Sequence, residues 1–129
     1  MKEQIRKYDP NNEYFIEEQC HINELSNIPE DNEVSIAQAR VSPGVTTHWH
    51  RLTGIVERYV IIQGQGKVEI GNLLPQNIGP GDIAIIPAGC RQRIINISTE
   101  DLVFLAICSP RFNSSAYEDL NSEGEVKCQ

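Results

Sequence analysis

Apolar and polar residues alternate with a period of two through the middle of the chain. Ala37, Ala39 and Val41 alternate with Gln38, Arg40 and Ser42, the pattern of a strand with one buried face. Lys67-Val68-Glu69-Ile70 repeats it. Thr46 to His50, Glu57 to Gln63, Gln92 to Ile97 and Leu102 to Cys108 read as further strands, and Ile83 to Ile86 as a short apolar one. Turns fall between them at Pro43-Gly44, Gly64-Gln65-Gly66, Gly71-Asn72, Gly79-Pro80-Gly81-Asp82 and Pro87-Ala88-Gly89. Short strands divided this way predict an all-β antiparallel sandwich or barrel. Leu102 to Cys108 is apolar on both faces, so its second face needs a cover. One short helix is predicted around Ser115 to Leu120, and Val126 to Gln129 is predicted to fray.

The 129 residues suffice for one domain with a real core. Three segments are predicted: an irregular acidic N-terminal arm over 1–33, a barrel over 34–109 and a C-terminal tail over 110–129. Within the arm, Tyr14-Phe15-Ile16 and Cys20-His21-Ile22 could form short edge strands. The net charge of −7 is uneven: residues 1–33 carry nine acids against Lys2, Arg6 and Lys7, while residues 34–117 hold seven bases and five acids. The absence of a basic stripe argues against nucleic acid as a partner. The absence of a long apolar run argues against a membrane. The N-terminus lacks the apolar stretch of an export signal, which predicts a cytoplasmic protein with free thiols. Cys108 reads as a core residue and Cys90 as part of a turn. The mildly positive centre would suit a small anionic ligand.

Only three histidines exist, and His48 and His50 sit two apart. On a strand that spacing points both imidazoles the same way. If Glu57 points inward, Tyr59 and Ile61 do too, and Arg58 points out. If Gln92 points inward, Ile94 and Asn96 join it, leaving Arg91 and Arg93 in solvent. Two imidazoles and a carboxylate on one wall are the start of a divalent-metal site. Tyr59 is either a proton or hydrogen-bond donor in the pocket or a core residue with a satisfied hydroxyl. Trp49 faces away from the histidines and suits packing or a dimer contact. Arg40 and His21 read as surface residues.

Gly44, His48-Trp49-His50, Glu57 and Gly64, followed by Gly81, Pro87, Gly89 and Asn96, resemble the paired motifs of the cupin superfamily. The six residues between Glu57 and Gly64 match, as does the spacing of the second motif. The gap from Gly44 to His48 is shorter than the family's, and that from His50 to Glu57 is longer. Gln92 stands where the family has its last histidine. The resemblance implies a double-stranded β-helix (cupin or jelly-roll barrel), a homodimer, and a metal held in the barrel mouth. By it, His48, His50, Glu57 and Gln92 are candidate ligands of a divalent transition metal (Mn, Fe, Ni or Zn). Glu57 and Tyr59 are the candidate catalytic residues. The implied protein is a metal-dependent enzyme acting on a small polar molecule, as oxygenase, isomerase or hydrolase. The alternative is a non-catalytic module that binds a small ligand such as a sugar, with or without metal.

Overall fold

The computed structural model describes residues 1–121. Eleven strands run through them: β1 (Tyr14–Ile16), β2 (Cys20–Ser26), β3 (Ser35–Val41), β4 (His50–Leu52), β5 (Val56–Gln63), β6 (Gly66–Ile70), β7 (Gln76–Ile78), β8 (Ile83–Ile86), β9 (Gln92–Asn96), β10 (Leu102–Ser109) and β11 (Tyr117–Asp119). They form a six-stranded sheet, β1-β2-β3-β10-β5-β8, and a five-stranded sheet, β11-β4-β9-β6-β7. Every pairing is antiparallel. The two sheets make the antiparallel barrel that the turn-and-strand pattern predicts, in the double-stranded β-helix form that the motif resemblance implies.

Alternation decides which side chains meet inside. On β5, Glu57, Tyr59 and Ile61 are buried while their neighbours are not. On β9, Gln92, Ile94 and Asn96 are buried in the same rhythm. Val41, Ile61, Ile86, Ile94 and Leu102 fill one end of the barrel. A second cluster, Leu52, Ile55, Cys108 and Ala116, packs separately from it.

Two motif residues prove to be architectural. Gly64 has φ +84° where β5 turns into β6, and a Cβ there would lie 2.7 Å from the Asp101 carbonyl oxygen. Only glycine accepts both that backbone and that approach. Asn96, 1% exposed, donates from Nδ2 to the carbonyls of Val41 and Glu100, both at 2.8 Å. Its Oδ1 accepts from the backbone N–H and the hydroxyl of Ser98. One buried amide thus ties β9 to β3 and shapes the turn that leads to β10.

Several expectations from the sequence are corrected. Within the first 33 residues the two possible edge strands form as β1 and β2, the second running on to Ser26 where only Cys20 to Ile22 was expected, and they extend the six-stranded sheet through the β2–β3 pairing. The helix expected around Ser115 to Leu120 is a 3-10 turn, Ser114–Ala116, followed by β11. The strand expected over Thr46 to His50 is an isolated bridge at Thr46 and a strand starting only at His50. The cause is Thr47, whose hydroxyl accepts from the Ile94 N–H at 2.9 Å and interrupts the ladder. Arg91, expected in solvent, is buried, because Trp49 stacks on it at 4.2 Å and on Arg93 at 4.4 Å. Arg40 is not simply solvated: Glu13 and Asp101 hold it at 2.6 and 3.2 Å. Cys90, expected as a free thiol, is disulfide-bonded, while Cys20 and Cys108 are free. The fraying expected at Val126 to Gln129 lies outside the described residues.

Asn96→Ala removes four hydrogen bonds, two of them to the carbonyls of Val41 and Glu100. It is expected to lower the unfolding free energy by about 2 kcal/mol or more, read from the denaturant midpoint at unchanged m-value. A midpoint equal to wild type would show that the amide is dispensable.

Candidate functional site

A cavity of about 420 Å³ opens between the sheets, with Ala39, Tyr59 and Phe104 of the Leu102 core cluster in its wall. Its walls include Ile16, Ile22, Ile36, Leu52, Phe104 and Phe112. His50, Glu57 and Tyr59 line it from the barrel strands. Glu18 reaches it from the turn between β1 and β2.

Strand pairing brings these side chains together. His50 opens β4 and stands opposite Gln92 of β9 on one side and Asp119 of β11 on the other. Glu57 and Tyr59, on alternate positions of β5, face Cys108 and Ala106 of β10. Tyr59 packs against Phe104 with ring centres 4.3 Å apart.

Gln92, fully buried, bridges Tyr59 and Glu57. Its Nε2 donates to Glu57 Oε1 at 2.7 Å. Its Oε1 accepts a short hydrogen bond from the Tyr59 hydroxyl. A carboxyl so enclosed loses the water that stabilises its ionised form. Burial therefore raises the Glu57 pKa, with the nearby Glu18 adding to the effect, while His50, Gln92 and Cys108 oppose it. Burial likewise raises Tyr59 well above the ordinary phenol range, with Glu57 contributing. The Cys108 thiol, 3.8 Å from Glu57 Oε2, is pushed up to about 12, chiefly by burial.

His50 is 2% exposed. Its Nδ1 lies 2.8 Å from the backbone carbonyl of His48. A carbonyl only accepts, so Nδ1 carries the proton and Nε2 holds the lone pair of the neutral ring. Nε2 is 3.6 Å from Glu18 Oε1. Tyr117 stacks on the ring with centres 5.3 Å apart and planes 21° from parallel. The turn that delivers Glu18 is fixed to the barrel, since its carbonyl accepts from the His48 N–H at 2.9 Å. The next residue, Gln19, holds a left-handed φ of +77°.

His48 is placed differently. Its Nδ1 lies 3.1 Å from Asp119 Oδ2, and its side chain is more than a quarter exposed. That pairing is the main cause of the lowered Asp119 pKa. Of the expected site residues, the structure joins His50, Glu57, Tyr59 and Gln92, and it leaves His48 at the rim. Sequence reasoning missed Glu18, Tyr117 and Asp119. Glu18 carried no signal beyond being one acid in an acidic segment, because only the β1–β2 turn brings it to His50.

These donors do not fit a divalent ion. Gln92 uses both ends of its amide within the protein, and His48 is engaged by Asp119 outside the cavity lining. Among the described residues, no three His, Cys, Asp or Glu side chains are grouped to hold one metal.

Comparison with known proteins places this arrangement. Streptomyces Pac13, in the structure of a tyrosine-to-phenylalanine variant with uridine, superposes with a TM-score of 0.74 at 16% identity, over 94% of this chain and 93% of that one. Another Pac13 structure describes a nucleoside dehydratase. KdgF from Halomonas gives a TM-score of 0.70 at 16% identity, over 80% of this chain and 89% of that one. A predicted oxalate decarboxylase from Thermotoga maritima gives 0.65 at 26% identity, over 70% and 80%. No curated protein matches the sequence. The profile of the cupin domain matches residues 37–108, from β3 to the end of β10, and the chain accordingly belongs to the cupin family.

Proposed function

We propose that the protein is a small-molecule enzyme of the proton-transfer type, in which His50 is the base and Glu57 the acid. One observation carries this reading. A histidine with a fixed tautomer and a carboxyl with a raised pKa line the same apolar-walled cavity. A ring nitrogen able to accept a proton and a carboxyl that retains one are an ordinary means of acid–base catalysis.

The chemistry that fits is elimination of water from a hydroxylated substrate. His50 Nε2 takes a proton from a substrate carbon. The C–H electron pair becomes the new double bond as the neighbouring C–O bond breaks. Glu57 gives its proton from Oε2, the oxygen not bonded to Gln92, to the departing oxygen, and water leaves. Return of a proton from His50 to Glu57 through solvent restores both groups. Tyr59 acts through Gln92, fixing the amide so that Glu57 Oε1 stays occupied and the transfer runs from Oε2, whose protein neighbour is the Cys108 thiol at 3.8 Å. The existence of a nucleoside dehydratase on the same fold supports this reading. The oxygenase branch and a metal cofactor find no support in the donor geometry.

The test is solvent exchange. In deuterium oxide, wild-type protein is expected to exchange α-protons of a panel of β-hydroxy carbonyl compounds, or to dehydrate one of them, as followed by proton NMR. His50→Ala is expected to slow this about 100-fold or more. Exchange that survives the substitution, or none with any compound, would reject the assignment.

Glu57 also makes stability depend on pH. Its folded pKa lies above the ordinary 4.5. The folded state therefore holds the proton more tightly than the unfolded chain, and stability falls as pH rises from that value through the folded pKa. Glu13 and Asp119 have lowered values and act in the opposite sense, at more acid pH. Above about pH 5, Glu57→Gln is expected to flatten the decline seen in thermal melts. Parallel slopes for wild type and variant would refute it.

We further propose that a second copy covers the outer face at β8. This strand is the open edge of its sheet, and Ile83, Ile85 and Ile62 are 60, 65 and 52% exposed beside it. An apolar edge strand can pair antiparallel with its own copy across a two-fold axis. Light scattering is expected to report a dimer that Ile83→Lys converts to monomer, and a monomeric wild type would end the proposal.

A further inference from the structure

The chemical class of the substrate can be read from the charges around the cavity. This inference rests on the reading that the cavity is the functional site. Five carboxyl side chains line it: Glu17, Glu18, Glu24, Glu57 and Asp119. Among the described residues that line it, none is lysine or arginine, and His50 is the one basic group. Four of the barrel's positive side chains are engaged away from the cavity, and Arg111 donates to Asn27 Oδ1 at 2.9 Å, on a residue that lines it. Arg40 holds Glu13 and Asp101, Arg51 holds Glu118, Arg93 holds Glu69, and Arg91 and Arg93 sandwich Trp49.

The carboxylates are held in place. Glu24 accepts from the Tyr14 hydroxyl at 3.1 Å and from Asn27 Nδ2 at 3.0 Å. Glu18 is 13% exposed and faces His50. Apolar walls behind them lower the local dielectric, so charges of one sign act more strongly than on an open surface. A carboxylate or phosphate entering this space would lose its hydration and meet Glu17, Glu18, Glu24 and Asp119, with no lysine or arginine to offset them. An ammonium group would meet Glu18 and Glu24, and Tyr14, Phe104, Phe112 and Tyr117 line the same space for it and for an apolar body.

We propose that the cavity takes a small organic amine in its ammonium form, carrying an apolar body, and rejects carboxylates and phosphates. This reverses the anionic ligand that the mildly positive composition of residues 34–117 suggested. Composition counts charges, whereas folding keeps lysine and arginine out of the cavity lining and brings Glu17, Glu18 and Glu24 to it.

Three probes of nearly equal size decide it: cyclohexylmethylamine, cyclohexylmethanol and cyclohexanecarboxylate, each titrated into the full-length protein by calorimetry and protein-observed NMR near neutral pH. The amine is expected to bind tightest, the alcohol more weakly and the carboxylate not at all. Glu18→Gln is expected to weaken the amine about tenfold while leaving the alcohol unchanged. Glu100→Gln, which removes the same charge from an exposed site outside the cavity, is expected to leave all three unchanged. Preference for the carboxylate, equal response to all three, no response to the amine, or equal losses in the two variants would each overturn the proposal. Amine binding without any proton exchange would sink the catalytic reading alone, and exchange without amine preference would sink this inference alone.

Discussion

The site depends on one buried carboxyl and the amide that satisfies it. Glu57 sits between two sheets with almost no access to water. A group in that position either finds hydrogen bonds or destabilises the fold. Gln92 supplies the bond to Oε1, and Tyr59 fixes the far end of Gln92. The three side chains come from two strands in different sheets, so the chain of hydrogen bonds also joins the sheets across the cavity. Everything proposed about the chemistry follows from it: a carboxyl that keeps its proton, one oxygen held by Gln92 and the other by no more than the weak Cys108 thiol contact, and a histidine lining the same cavity with its tautomer fixed.

The substitution of glutamine for histidine at position 92 gains meaning in this light. An imidazole there would offer a metal one neutral donor. An amide offers a donor and an acceptor at once, and here both are consumed inside the protein. The same barrel then positions a proton-transfer pair where its pattern alone implied an ion. His48 follows the same logic: its Nδ1 is taken up by Asp119 at the rim.

The barrel was legible in the sequence because period-two alternation and glycine turns are local signals, and both survive folding. The inward set on β5 and β9, including Glu57, Tyr59, Gln92 and Asn96, follows from that alternation alone. The placement of His48 did not follow, because the threonine beside it diverts the ladder through its own hydroxyl. Glu18 was not legible, since its role depends on a tight turn lying against β4, a contact of long sequence separation. Arg91 was misread because alternation assigns it to an outer face without revealing that Trp49 covers that face.

The central claim is that Glu57 keeps its proton when ordinary glutamates have lost theirs. Infrared difference spectroscopy of wild type against Glu57→Gln, followed through a pH titration, reads this directly. The account predicts a protonated carboxyl band that is absent from the variant and that persists above the pH at which ordinary exposed carboxyls ionise. A band that vanishes together with those carboxyls would contradict it.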